Sequence, residues 1–512
     1  MKGFFKTVAV ITLFAVCEKF LGFLYRIYLS RTIGAEGVGL YSVALSVFGL
    51  IFTVVSSGVP ITVSRFMAKY HAEGSKEKEQ KIISAGLFLT LVFSLPVVAT
   101  VFIFRNNLGF MFADERVTTV FVILIFGLTF TSLYSVLRGV FWGNKDFLPY
   151  SVIELLEEIC MIVVGVILIS GSNDAFGGAT RAAIAVFFSF VFSFTLATVT
   201  FFIRKNKLKD PRSQLKPLIK SSAPVTAMRT ANSLIVSLVS VILPARLIAS
   251  GYAQSKAMSL FGAAVGQAIP VLFIPSTLIG AFTVVLVPEL SENFYRGRHD
   301  LVKKDIEKAV KFTCLICAVF TPLFLTAGKE IGFTVFGNTE SGNFIAASGI
   351  TTLFMGVSTV TTSVLNSIGK ENQTLIYYIA GTLLMLLCVW VLPPVMGIYS
   401  LTVGYACVYV LTTILNVRLI NKTCNQKPAF TWFSLSCLMI SGACGVFGLL
   451  LKGVLSKFTD GIIAAALSGV LSTAATIICF AVFGLVSIAT VISVIKKPSK
   501  RTAKKSKIIK QA

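Results

Sequence analysis

Apolar runs of about 20 residues recur from one end of the chain to the other, separated by short polar segments. Stretches such as 82–104 and 117–137 are apolar on every side, without the one-sided stripe of a surface helix. A helix of about 20 residues covers a hydrocarbon core of about 30 Å. In lipid the backbone must satisfy its hydrogen bonds internally, which leaves helices or a closed barrel. Barrel strands would alternate over about ten residues, and these runs do not. The pattern therefore predicts an all-α integral membrane protein of about fourteen transmembrane helices. Their expected positions are 8–29, 38–63, 82–104, 117–137, 151–171, 180–203, 223–249, 259–288, 309–327, 344–367, 375–393, 399–420, 433–451 and 462–494.

Composition agrees with this pattern. The 512 residues are 55% hydrophobic and 13% charged, with a mean hydropathy of +0.85, where soluble domains carry about 25% charge. A net charge of +24 raises the question of nucleic acid. The cations, however, gather in alternate loops, chiefly 65–81, 204–220 and 296–311, and in the tail 496–510. Topology demands that alternation and a nucleic-acid groove does not. It predicts a multi-pass protein of the cell membrane with both termini cytoplasmic and no nucleic-acid partner. The basic tail serves as a topology determinant or touches anionic membrane lipid.

The first apolar segment is longer than a signal peptide core and contains Glu18 and Lys19, so it reads as a retained helix. Most of the ten cysteines lie in apolar runs, and the Cys314/Cys317 pair reads as small-residue packing. The only two histidines, His71 and His299, sit in polar loops. No metal site and no cofactor is expected. There is no GxxxxGK[ST] phosphate loop and no Ser/His/Asp constellation, and the external loops are short. These features point to transport driven by a gradient rather than to an enzyme.

The polar stretch 204–222 is expected to link a six-helix lobe, 1–203, to a second, 223–420. Two further helices (433–494) and the tail 495–512 follow. A second polar stretch, 289–308, reads as an amphipathic surface helix. Segments 49–65 and 280–293 bear a faint likeness, as in a repeat of bundles.

Ionisable residues inside a span are costly and mark cavities or partners. Lys19 and Arg26 are seven residues apart on one helix face, about 10 Å along the axis, with Gly22 leaving room between them. They face a cavity, or they reach an interface or pair with Glu18. Arg229, with Asn232 nearby, faces a cavity or snorkels to the cytoplasmic end. Arg246 reaches the outer interface. Glu154, Glu157 and Glu158 cluster in the fifth span. Glu157 and Glu158 pair with the buried cations, carry a coupling proton, or line an entrance. Five prolines (Pro224, Pro244, Pro270, Pro275 and Pro288) fall in the seventh and eighth spans. Pro244, Pro270 and Pro275 are the expected hinges.

The stretch from Lys19 to Arg26, then Arg31 to Tyr41, then Ser57-Gly58-Val59-Pro60-Ile61 followed by Arg65, resembles the opening of the polysaccharide and lipid-oligosaccharide exporter family. Phe273-Ile274-Pro275 through Val287-Pro288-Glu289-Leu290-Ser291 is similar to the eighth helix of the MurJ-type lipid II flippases. The resemblance implies a MATE-like flippase fold, with two six-helix lobes around a central cationic cavity and two C-terminal helices bordering a groove for a lipid tail. By that resemblance Lys19 matches a cavity arginine and Arg26 lies one residue from a second. Pro270 stands about where those flippases have another arginine, and no arginine precedes Ser57-Gly58. The implied function is alternating-access translocation of an undecaprenyl-diphosphate-linked saccharide, the lipid-linked peptidoglycan precursor for spore cortex, with cell-wall synthesis machinery as a partner. A MATE-type cation-coupled small-molecule exporter is the alternative. An intramembrane glycosyltransferase would need an acid near the outer face, with Asp114, Glu115, Glu330 and Glu340 as candidates.

Overall fold

The computed structural model describes residues 2–171, 174–424, 429–483 and 485. The basic tail and residues 486–494 of the last expected span lie outside them. Among the described residues the chain is helical, without a strand. Nine of these helices are long and apolar enough to cross a membrane, or twelve when three bent pairs each count as one crossing. The chain is thus a multi-pass membrane protein.

Contacts divide it into two compact units. The first comprises Met1–Val271, Ile331–Phe344 and Ile379–Cys407; the second comprises Leu272–Glu330, Ile345–Tyr378 and Val408–Ala512.

In the first unit, α1 (Lys2–Ser56) is two helices joined at Gly34, whose φ of 69° only glycine adopts without strain. Nothing lies within 4 Å of a Cβ placed there, so the demand is on the backbone and not on space. The expected second span does not run through to 63. It ends at Ser56, and α2 (Val59–Ala72) starts after a break at Ser57-Gly58, with Pro60 in its first turn, where a missing N–H costs nothing. A Cβ on Gly58 would strike the carbonyl of Ser222. Next comes α3 (Lys76–Ile103), then α4 (Arg116–Phe126) and α5 (Leu128–Gly143), bent by 44° at Gly127. There the Phe190 ring would sit 2.6 Å from an added Cβ. They are followed by α6 (Phe147–Ile169), α7 (Ala175–Ile203), α8 (Arg212–Ala249) and α9 (Gln254–Phe261). A π-helical segment, Gly262–Ala268, leads into α10 (Ile269–Leu272).

Lipid gives little hydrophobic drive for helices to associate, so close packing at small residues and internal hydrogen bonds hold the unit together. One buried cluster joins Val63, Met67, Ile82, Val136, Phe141 and Phe201; another joins Tyr25, Leu29, Ile33, Val38, Ile169 and Ala182. Gly139 lies against the backbone of Pro60, and Gly39 and Gly262 bring α1 and the π segment into backbone contact.

The chain passes into the second unit between Val271 and Leu272, a point flanked by Pro270 and Pro275. Along the rest of the chain come α11 (Ile274–Tyr295), α12 (His299–Phe336), α13 (Thr339–Ser348), α14 (Thr351–Ser367), α15 (Glu371–Val391), α16 (Pro393–Met396), α17 (Ser400–Cys424), α18 (Ala429–Leu455) and α19 (Gly461–Val482). Residues 331–344 and 379–407 of these belong to the first unit, and the others to the second unit. The core of the second unit gathers Ile279, Ile306, Val310, Cys314, Val360, Val364, Phe433, Cys437 and Phe480. Cys314 and Cys317 are wholly buried in it, and no group of metal-ligating side chains exists among the described residues.

Three sequence expectations change in detail. Of the stretch 204–222, only 204–211 is non-helical; the rest is the start of α8. Residues 289–308 do not form a separate surface helix. They are the end of α11, a turn at Gly297 (φ 68°) and the start of α12. The amphipathic stripe there, Val302, Ile306 and Val310, continues the buried face of α12 into the core. Segment 49–65 is broken at Ser57-Gly58, whereas 280–293 lies within the continuous α11, so the two do not match locally.

In the second unit Lys452 Nζ lies 2.7 Å from Glu330 Oε2 and 2.9 Å from the Thr326 carbonyl, both groups being mostly shielded. Lys452→Ala would strand the carboxylate. We expect a loss of about 2 kcal/mol, below the 3–5 typical of fully buried pairs. Thermal unfolding in detergent checks this, and Glu330→Gln in the same chain should recover most of the loss.

Candidate functional site

A cavity of about 540 Å³ opens within the first unit. Its wall is built from the second half of α1 (Ser46, Gly49, Phe52, Thr53, Ser56), the Ser57 break, Pro60 and Ile61 of α2, α5 and α8. The helix break matters here. By ending α1 at Ser56, it turns a line of hydroxyls and the first turn of α2 toward the same space. Ser56 and Ser135 share a hydrogen bond of 2.6 Å, and Thr53 donates to Ser233 at 3.4 Å.

Two cations face the cavity, Arg138 of α5 and Arg229 of α8. Arg229 and Asn232 are three residues apart, so one helix face presents both. The Arg229 side chain is exposed, and no carboxylate of the described residues lies within 4.0 Å of it. Arg138 differs. It donates from Nη1 to Glu154 Oε1 at 3.0 Å, and its guanidinium lies 5.0 Å over the Trp142 ring. Sequence reading missed Arg138 because it falls just past the end of an expected span, where a loop cation needs no explanation. Its signal was four residues downstream: Trp142 shares its helix face, and an i,i+4 Arg–Trp pair favours stacking.

The other candidates sit elsewhere. Lys19 does not line this cavity. Its ammonium is exposed and pairs with the adjacent Glu18 at 3.2 Å. Arg26 is half-buried and donates to the Gly266 carbonyl at 3.1 Å. A π segment shifts the hydrogen-bond register and offers carbonyls to outside donors, so this bond follows from the irregular stretch Gly262–Ala268. The room expected at Gly22 is taken by Glu158, whose Oε1 would lie 2.9 Å from an added Cβ. Glu158 shares the neighbourhood of Glu18, Lys19 and Arg26 without forming an ion pair within 4.0 Å. Glu157 lies one residue before Glu158 on α6 and does not line this cavity.

Beside Arg26, a buried polar chain continues. Gln267 Nε2 donates to Ser30 Oγ at 2.7 Å, Ser30 donates to the Phe336 carbonyl at 3.1 Å, and Asn338 donates to Gln267 at 3.3 Å. Arg31 caps the same helix end through the carbonyls of Val335 and Thr334. Pro244 is buried within α8, Pro270 lies in α10, and Pro275 opens α11. Arg246 donates to the Trp390 carbonyl at 2.8 Å and stacks on its ring.

The acids near the expected outer face are mostly committed. Asp114 is held by Arg116, Glu330 by Lys452 and Glu340 by Lys256, each at 2.7–2.8 Å. Only Glu115 has no ion pair among the described residues.

Stage V sporulation protein B of Bacillus subtilis (strain 168) is 23% identical over 469 residues, covering 88% of this chain and 90% of that protein. The lipid II flippase MurJ of the same organism is 22% identical over 415 residues, covering 74% and 75%. A solved lipid II flippase MurJ in an inward closed conformation superposes with a TM-score of 0.68 at 15% identity, over 92% of this chain and 99% of that one. An inward-facing multidrug resistance MATE family transporter gives 0.65 at 15% identity, over 81% and 95%. The fold is therefore MATE-like. Residues 4–294, more than half of the chain, match the family described as polysaccharide biosynthesis protein, and the chain belongs to that family.

Proposed function

We propose that this protein is a flippase that carries a lipid-linked saccharide precursor across the cell membrane. The observation that carries this reading is the cavity with Arg229, which has no ion pair among the described residues, set among hydroxyls and Asn232. A diphosphate needs fixed positive charge and N–H donors. A sugar headgroup needs many small hydroxyl partners. A cationic drug, the cargo of the alternative small-molecule exporter, would meet repulsion from Arg229 instead.

The finer assignment is an undecaprenyl-diphosphate-linked peptidoglycan unit. Its support is the likeness to proteins named stage V sporulation protein B and lipid II flippase. Lys19 and Arg26 keep their proposed part in drawing the diphosphate inward, Arg26 with the donors left after its bond to Gly266. Pro270 and Pro275, on either side of the passage between units, are the proposed hinges. The fourteen-crossing topology with cytoplasmic termini belongs to the same proposal. The break at Gly34 and the glutamate-bearing α6 would add the two crossings beyond twelve.

The test is reconstitution of the full chain into liposomes with a fluorescent undecaprenyl-diphosphate-linked saccharide. Translocation well above that of protein-free vesicles is expected. A rate equal to the protein-free rate, with efflux of a lipophilic cation instead, would establish the exporter alternative.

A further inference from the structure

The cavity holds one charged arrangement that the transport reading has not used. Arg138 and Trp142 are four residues apart on α5, and Tyr150 and Glu154 are four apart on α6, so two i,i+4 faces meet. Arg138 Nη1 bonds Glu154 Oε1 at 3.0 Å, and the Trp142 and Tyr150 rings meet edge-on at 5.6 Å. Arg138 lines the cavity, and the pair is only 27% and 20% exposed. Its Nε is buried and has no hydrogen-bond partner. An orphan donor on a shielded guanidinium is costly, and its presence asks for a partner that arrives in another state.

We propose that Arg138 is a second anion-binding residue of the cavity, held in reserve by Glu154, and that an entering diphosphate takes its place on the guanidinium. This rests on the reading of the protein as a carrier of a diphosphate-linked lipid. Arg229 offers open charge that attracts the anion. Arg138 then supplies Nε and a terminal nitrogen side by side, the geometry that phosphate oxygens match. Trp142 holds the guanidinium plane during the exchange, and the Tyr150 ring braces Trp142 edge-on. The pair acts as a threshold: a neutral or singly charged molecule would not compete with the carboxylate, and a diphosphate would. Glu154 thereby becomes a determinant of specificity that need not touch the cargo.

The experiment uses the purified full chain in detergent with farnesyl diphosphate as probe and farnesol as the phosphate-free control. Relative to the unsubstituted chain, Glu154→Gln should bind farnesyl diphosphate about tenfold tighter, Arg138→Gln about tenfold weaker, and the double variant as weakly as Arg138→Gln. Farnesol binding should be the same in all. Size-exclusion profiles and melting temperature report folding, and Arg138→Lys, which keeps the charge without the paired donors, should recover part of the loss. The proposal is overturned if Glu154→Gln leaves affinity unchanged, or if it tightens binding equally when Arg138 is absent. The two readings fail differently. If the unsubstituted chain and Arg229→Gln both ignore farnesyl diphosphate, the carrier reading falls and takes this one with it. If Arg229→Gln weakens binding and Glu154→Gln does nothing, only the exchange at Arg138 falls.

Discussion

Leucine in place of Gly262 is expected to leave little folded protein. At this position a Cβ would collide with the Ala35 carbonyl and lie 2.6 Å from the Gly39 nitrogen and 2.9 Å from its Cα. The contact is reciprocal, since a Cβ on Gly39 would strike the Met258 carbonyl. These obstacles are backbone, so no rotamer change relieves them. Overpacking a filled interior costs about 1–3 kcal/mol, occasionally more, and contact with main chain on both sides puts this case at 3 or above. The displaced segment also carries the Gly266 carbonyl that receives Arg26 and the Gln267 side chain that joins Ser30. Gly442→Ala in α18 is the control, because nothing lies within 4 Å of its added Cβ. Melting of the two variants in the same detergent decides the matter. A Gly262→Leu protein that melts with the unsubstituted chain would show that this close approach is not needed.

Charge reversal at Arg229 should abolish transport while the protein still folds. The side chain is exposed to the cavity and has no carboxylate partner within 4.0 Å among the described residues, so no packing or ion pair is broken. A unit charge at about 4 Å in a partly shielded site contributes on the order of 4 kcal/mol, and Arg229→Glu turns attraction into repulsion. With about 1.4 kcal/mol per factor of ten, more than a hundredfold loss is expected even after generous screening. Arg229→Lys keeps the charge but not the planar fork and should lose about tenfold. Initial rates of headgroup translocation in liposomes, normalised to inserted protein, measure both. Full activity of Arg229→Glu would remove Arg229 from the proposed cargo path.

Much of this fold was legible in the pattern of apolar runs. The spans, the all-α class and the family resemblance all rest on features a sequence displays directly, and Arg229 with Asn232 was visible as a polar pair in an apolar helix. What was not legible depends on breaks and on neighbours far along the chain. Ser57-Gly58 read as a motif inside one long helix, and its effect, stopping α1 so that hydroxyls and Pro60 face one space, needs α5 and α8 in place. Lys19 and Arg26 lie on one helix face, as spacing requires. Spacing does not reveal that Glu158 of α6 fills the gap at Gly22, nor that a π segment some 240 residues away presents Gly266 to Arg26. Arg138 escaped notice for a related reason: the residue that restrains it lies on the next helix.

The π segment has a consequence for how this chain tolerates change in length. Such a segment amounts to one residue inserted into an α-helix. Deleting a single residue from Gly262–Ala268 would restore ordinary helical bonding, and local stability there could rise. Each residue of an α-helix advances about 100° around the axis, so Pro270 and everything after it in that helix would turn by that amount relative to α9. The carbonyl offered to Arg26 would close into the helix. Insertions and deletions in this stretch should therefore act on reading frame in three dimensions: a locally favourable edit would rewire which side of the helix meets α1.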